Sequence, residues 1–186
     1  MKRRTKKKIV IALVAALGVL MIAYAGLNFY QIYGYKKYVD KKAGFSVRFP
    51  NDWAYSMYKD GANVIFYTPN ESDADTFTEN VNIVVQDISA EPLNLEEYTE
   101  LAIRQMEIVF EGKIEVVESL DVRLGSRKAH KFVFLTDGKP ITKMMIIWTV
   151  KGDLAYQFTY FAQEDTFDFY YKRVERMAAS FRITRS

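Results

Sequence analysis

Nineteen consecutive residues, Ile9 to Leu27 (IVIALVAALGVLMIAYAGL), carry no charge. A helix of that length rises about 28 Å at about 1.5 Å per residue, close to the hydrocarbon thickness of a bilayer. The run predicts one transmembrane signal-anchor helix over 9–27, with Ile9, Leu13, Leu17, Leu20 and Leu27 among its apolar anchors. Lys2, Arg3, Arg4, Lys6, Lys7 and Lys8 precede it. The positive-inside bias holds such a tail, 1–8, in the cytoplasm, so the topology expected is single-pass in the cell membrane with the C-terminal domain extracytoplasmic. Residues 28–42 then read as a juxtamembrane linker. Its Tyr30, Tyr33, Tyr35 and Tyr38, with Lys36 and Lys37, are amphipathic side chains suited to headgroup depth. Ala23-Tyr24-Ala25 keeps a second reading open, a secreted chain cut after Ala25, although the apolar run continues past that site to Leu27.

The remaining 43–186 are enough for one domain with its own core. Charge divides at the same place: residues 1–42 hold ten Lys/Arg against Asp40, whereas 43–186 hold 16 Lys/Arg against 22 Asp/Glu. The dense basic run is accounted for by topology, and the folded part lacks the basic stripe of a nucleic-acid binder, so no nucleic acid is expected among the partners. The chain contains no cysteine, which excludes disulfides, thiolate nucleophiles, cysteine-ligated metals and a lipid-modified N-terminal cysteine.

From Phe45 the pattern turns to short alternating runs. Phe45 to Phe49 places three apolar residues on one face before Pro50-Asn51-Asp52 breaks it. Trp53 to Tyr58 and Val64 to Tyr67 flank Asp60-Gly61, a hairpin signal, and Val81 to Ile88 continues what reads as a meander. Asn94 with Glu97 three residues on predicts a capped helix, apolar at Leu95, Tyr98, Leu101, Ala102, Met106, Val109 and Phe110 and stopped by Gly112. Asp165 is the expected cap of a second helix, with Tyr170, Val174, Met177, Ala178 and Phe181 on one face. Between the helices lie four long β runs, 114–124, 128–135, 141–150 and 154–161, joined by short polar turns. Met144 to Trp148 is apolar on consecutive residues, which requires cover on both faces of that strand. The class is α+β: an antiparallel β-sheet flanked by helices on both faces, preceded by one N-terminal transmembrane helix.

Gly44-Phe45-Ser46-Val47-Arg48-Phe49-Pro50-Asn51-Asp52-Trp53 resembles the opening of the PsbP-like family, whose domains commonly begin G-F-S-[IV]-x-[FY]-P-x-x-W. The order of elements across 43–183 is similar to that family as well. The resemblance implies an α/β/α sandwich of the Mog/PsbP/DcrB type without enzymatic chemistry, used by different relatives as an extrinsic photosystem subunit, an importin-pathway binding protein or a bacterial envelope lipoprotein. This chain departs from the lipoproteins in having no attachment cysteine, and it lacks a plastid-type transit segment.

Candidate chemistry is sparse. His130 is the only histidine; in the alternation 128–134 it shares a face with Phe132 and Phe134 and reads as a packing or partly exposed strand residue. With no G-x-S-x-G turn it would have to serve whichever serine acted as nucleophile, and no triad is visible. Glu71, Asp73, Asp75 and Glu79 gather carboxylates of the kind that hold Ca²⁺, without the glycine and terminal glutamate of an EF-hand, and read as a solvated loop. Phe167, Phe169, Tyr170 and Tyr171 exceed what one helix face needs; they read as core or edge packing, with a partner surface as the functional alternative. Trp53 and Trp148 read as core. No cofactor is expected. The topology and the resemblance together imply a non-enzymatic extracytoplasmic domain that binds or stabilises another envelope or membrane protein, with the bilayer as its other partner. The alternative is a small-ligand or metal-binding envelope module.

Overall fold

The computed structural model describes residues 18, 19, 21, 34–70 and 77–184. The chain divides into two units, 1–36 and 37–186. Among the described residues no helix is long and apolar enough to cross a membrane. The expected span 9–27 lies outside them except at 18, 19 and 21, which are helical.

The alternating runs become strands close to where they are expected. In chain order these are β1 (Tyr35–Asp40), β2 (Phe45–Pro50), β3 (Ala54–Lys59), β4 (Ala62–Tyr67) and β5 (Asn80–Asp87). After helix α1 (Leu95–Val109) come β6 (Ile114–Leu124), β7 (Arg127–Thr136), β8 (Thr142–Lys151) and β9 (Leu154–Gln163), then helix α2 (Phe167–Ser180) and β10 (Arg182–Ile183). Seven strands form one antiparallel sheet in the order β3-β4-β5-β9-β8-β7-β6. β6 to β9 follow one another through connections of two to five residues, and β5 pairs with β9, Asp87 opposite Leu154.

Three expectations are corrected. The meander does not include β2, which joins β1 and β10 in a separate three-stranded sheet, Phe45 standing opposite Ile183. The span 28–42 is not all linker, because β1 lies within it and turns Tyr38 and Asp40 inward. Asp165 does not cap the second helix. Thr166 occupies the cap position in a helical conformation without a side-chain capping bond, because its hydroxyl donates instead to Glu79 Oε1.

The first helix forms as its sequence dictates. Asn94 Oδ1 accepts from the N–H groups of Glu96 and Glu97 at 2.9 and 3.1 Å, and Glu97 Oε2 accepts from Asn94 N–H at 2.8 Å. This closes a reciprocal box that satisfies orphan donors of the first turn. Tyr98 and Ala102 bury against Phe132, Phe134, Ile146 and Trp148 of β7 and β8. Val109, expected on that face, is exposed with Ile108, since the helix ends there and Phe110 turns back onto Phe134, ring centroids 5.3 Å apart. Helix α2 buries Phe167, Tyr170, Val174, Met177 and Ala178.

α2 and the small sheet cover the opposite face. Phe45 stacks on Phe181 at 5.5 Å, Phe181 meets Tyr156 of β9 edge-on, and Tyr38 and Phe49 close on Phe66 of β4 at 5.6 and 4.8 Å. Gly125, in the β6–β7 turn, has φ +59° and donates its N–H to Ala178 O at 2.9 Å. A Cβ there would collide with the Phe181 carbonyl, so only glycine lets the turn dock on the end of α2. Met145 to Thr149 of β8 are buried without a break, the two-sided cover that the apolar run requires.

Candidate functional site

The register of β6 against β7 assembles a catalytic-looking constellation. Asp121 stands opposite His130 and Ser119 opposite Phe132, so Ser119, Asp121 and His130 share one face, the i, i+2 spacing of a strand doing the rest. His130 Nδ1 lies 3.1 Å from Asp121 Oδ1 and Nε2 lies 2.9 Å from Ser119 Oγ. A carboxylate only accepts, so Nδ1 donates to Asp121, and in the neutral ring Nε2 is left to accept the Ser119 hydroxyl proton. Trp148 stacks beneath the imidazole at 5.4 Å and 27° and is held in turn by Nε1–H to Thr99 Oγ1 at 2.8 Å.

This is the order nucleophile, base, orienter. Two features weigh against its acting so: the Asp121 side chain is 92% exposed, where solvent screens its charge, and Ser119 lies on the open edge strand. The chain also cross-links two strands. Sequence reasoning missed it because two partners nine and eleven residues away reach one histidine only through the hairpin register. The available signal was Ser-x-Asp on the run facing His130.

The other candidates are dispersed. Asp73 and Asp75, with Glu71, lie outside the described residues. Glu79 is not part of a solvated loop: it is buried, its Oε2 accepting from Thr68 Oγ1 at 3.4 Å and its Oε1 from Thr166. It is an internal tie between β4 and the start of α2. Among the described residues no group of three or more His, Cys, Asp or Glu could hold a metal. Of the four aromatics that offered a partner surface as the alternative to packing, Phe167 and Tyr170 are core, Tyr171 is half-buried, and Phe169 alone is open, 74% exposed. Helix geometry explains it, because 167, 170, 174 and 177–178 fall on the buried stripe and 169 falls opposite. Trp53 and Trp148 are core as expected. Tyr38 is not interfacial but buried, edge-on to Tyr55 at 5.5 Å; Tyr35 is half-buried, and Tyr30, Tyr33 and the anchor residues Ile9, Leu13, Leu17, Leu20 and Leu27 lie outside the described residues.

The family model described as PsbP matches residues 33–183. The chain belongs to the PsbP family. The fold recurs in solved structures: cyanobacterial PsbP (CyanoP) from Synechocystis sp. PCC 6803 is similar with a TM-score of 0.62 at 19% identity, over 81% of this chain and 92% of that one. LpqN, involved in cell envelope biogenesis of Mycobacterium tuberculosis, is similar with a TM-score of 0.61 at 10% identity, over 86% and 96%. A protein of Bacteroides thetaiotaomicron VPI-5482 gives 0.53 at 20% identity, over 82% of this chain and 50% of its own length. No curated protein matches the chain.

Neither of two cavities in this PsbP domain is lined by His130. One of about 420 Å³ lies between the end of β5 and the β8–β9 turn, lined by Asp87, Ser89, Lys151, Asp153 and Tyr156. A second, about 220 Å³, lies under α2 and is lined by Lys131, Met145, Tyr171 and Glu175. Lys131 Nζ is 2.7 Å from Glu118 Oε2. Burial pulls the Lys131 pKa down, but Glu118 and Tyr171 outweigh it and hold it above the ordinary value. Burial raises the Tyr171 phenol, against the pull of Lys131. The Glu118 side chain is 36% exposed, and the pair ties β6 to β7 as a structural contact does.

Proposed function

We propose that this PsbP-family chain is a membrane-anchored, extracytoplasmic, non-enzymatic domain that binds or stabilises another protein of the envelope or membrane. The observation that carries the reading is β6. It is an eleven-residue edge strand whose Val116, Val117 and Leu120 are 52%, 50% and 39% exposed, around a register shift between Val116 and Glu118. A long edge with apolar side chains offers backbone donors and acceptors together with hydrophobic contacts to an extended segment of a partner. The basic tail and the apolar run of the sequence support the anchored topology. The involvement of LpqN in cell envelope biogenesis is a setting consistent with it.

The test is crosslinked affinity purification of the full-length protein from native membranes, beside Val116→Glu/Leu120→Glu and a chain lacking 43–186. One near-stoichiometric membrane protein, lost from both variants while Val116→Glu/Leu120→Glu keeps its melting temperature, is the expected result. A protein that sediments with membranes yet brings down no such partner overturns the binding role.

The Ser119–His130–Asp121 chain favours a second reading, a hydrolase. Ester hydrolysis abolished by both Ser119→Ala and His130→Ala would establish it; activity indifferent to both would dismiss it.

A further inference from the structure

One end of the folded unit combines exposed apolar and aromatic side chains with lysines, and the packing brings them together from three segments. Tyr58, at the tip of the β3–β4 hairpin, is 58% exposed and its neighbour Met57 is 55% exposed. The Tyr58 hydroxyl donates to the Asp40 carboxylate of β1, 3.3 Å from Oδ2. Lys42, in the β1–β2 turn, carries its Nζ 5.7 Å above the Tyr58 ring, and Lys59 stands 6.0 Å over Tyr67. Val39, adjoining Asp40, points outward, and Lys37 and Lys41 are exposed beside it.

The hairpin tip is held in an unusual shape. Tyr58 and Asp60 both have positive φ, 52° and 51°, a conformation costly for side chains larger than glycine. That bend leaves the Tyr58 ring spread at the surface. Asp40 is buried and already accepts from Ala43 N–H at 2.8 Å as well as from Tyr58. The exposed charges here are thus Lys37, Lys41, Lys42 and Lys59 against Asp60, a basic end on a folded part that is acidic as a whole.

We infer that this end, formed by Val39, Lys41, Lys42, Met57, Tyr58 and Lys59, rests on the surface of a bilayer containing anionic phospholipid. Tyrosine and methionine enter the headgroup region while lysines reach phosphate, the pairing of an apolar body with a cationic tip that interfacial proteins use. Chain reach permits it: the chain enters β1 at Tyr35, the end of the strand away from the 41–42 turn, and the eight residues beyond Leu27 reach up to roughly 27 Å when extended, more than the roughly 17 Å over which β1 carries the chain from Tyr35 to Asp40. The inference rests on the anchored topology proposed above and changes its interfacial residues. Tyr38 faces the core, and its outward neighbours carry the contact.

The absence of cysteine makes single-site labelling direct. Full-length Met57→Cys and, on the opposite edge of the large sheet, Val117→Cys are labelled with an environment-sensitive fluorophore and reconstituted in nanodiscs of phosphatidylcholine, with or without phosphatidylglycerol. The expected result is a blue shift and severalfold protection from aqueous iodide at 57, stronger with phosphatidylglycerol, with no change at 117. Lys41→Glu/Lys42→Glu/Lys59→Glu in the Met57→Cys background should abolish both while the chain stays in the disc. A chain inserted in the disc whose 57 label is as quenchable as the 117 label overturns the lipid contact and leaves the anchored reading standing. Protection that does not depend on phosphatidylglycerol overturns the electrostatic contact, and protection that requires added native membrane proteins assigns this end to a protein partner instead. A chain that fails to insert at all overturns the anchored reading itself.

Discussion

Tyr38 illustrates how one residue's surroundings set a pH response. Burial first, then the Asp40 carboxylate and the neighbouring Tyr58 and Tyr55 phenols, push its pKa from 10.0 to about 12. The folded chain thus keeps the proton after the unfolded chain has released it. The stabilisation is complete below about pH 10 and is lost as pH climbs from about 10 through about 12. Tyr38→Phe keeps the ring that packs on Phe66 and Tyr55 but has no proton to lose. Its urea midpoint should therefore fall less than that of the natural chain between about pH 9 and about pH 11, a comparison that equilibrium unfolding followed by circular dichroism makes directly. Tyr98 and Tyr171 are raised too, chiefly by burial, and they respond alike in both proteins. The position of Glu79 is likewise set by contacts that its loop-like sequence does not signal, the Thr68 and Thr166 hydroxyls that hold it.

Among the elements, α1 is the one whose ends are written most plainly. Its box joins Asn94 and Glu97, and its buried stripe is short, Tyr98 and Ala102 with partly covered Leu95, Ile103 and Met106. Asn94→Ala removes the acceptor of two first-turn N–H groups and should lower the unfolding free energy by about 1 kcal/mol, read from chemical denaturation with an unchanged m-value. α2 lacks such a cap and is secured by its buried face instead. Strand β6 has the opposite character, with one paired side, one open side and its apolar residues displayed at a bulge, which suits an element that meets a partner.

At the scale of the whole molecule the two sheets are joined by aromatic contacts, Tyr38 and Phe49 on Phe66 among them. Phe181 follows α2, stacks on Phe45 of β2 and meets Tyr156 of β9, while β10 beside it pairs with β2. Phe181→Ala should cost about 3–5 kcal/mol. In native-state hydrogen exchange the amides of β2 should lose protection well before those of β7 and β8, because the small sheet is released while α1 still covers the large one. Equal loss across both sheets would show instead that they unfold as one unit.

The amino-acid sequence by itself determined where the chain extends, coils and turns: the box at Asn94, the alternation of β6 to β9, the two-sided burial of 145–149 and the phrase Gly44 to Trp53 that marks the family. Those are local properties, set by side-chain periodicity and by residues that cap or bend the backbone. Neighbours joined by short turns, β3 with β4 and β6 through β9 in succession, follow from the chain itself, whereas which distant strands became neighbours was decided only in three dimensions. β5 passes over to β9 because α1 must cover β7 and β8, β2 leaves the meander because Phe45 finds Phe181 near the other end of the chain, and Tyr38 turns inward to Phe66. Ser119, Asp121 and His130 likewise meet only through the register of β6 on β7. Each of these depends on which apolar faces can be buried against each other across long stretches of sequence, a choice that no local pattern contains.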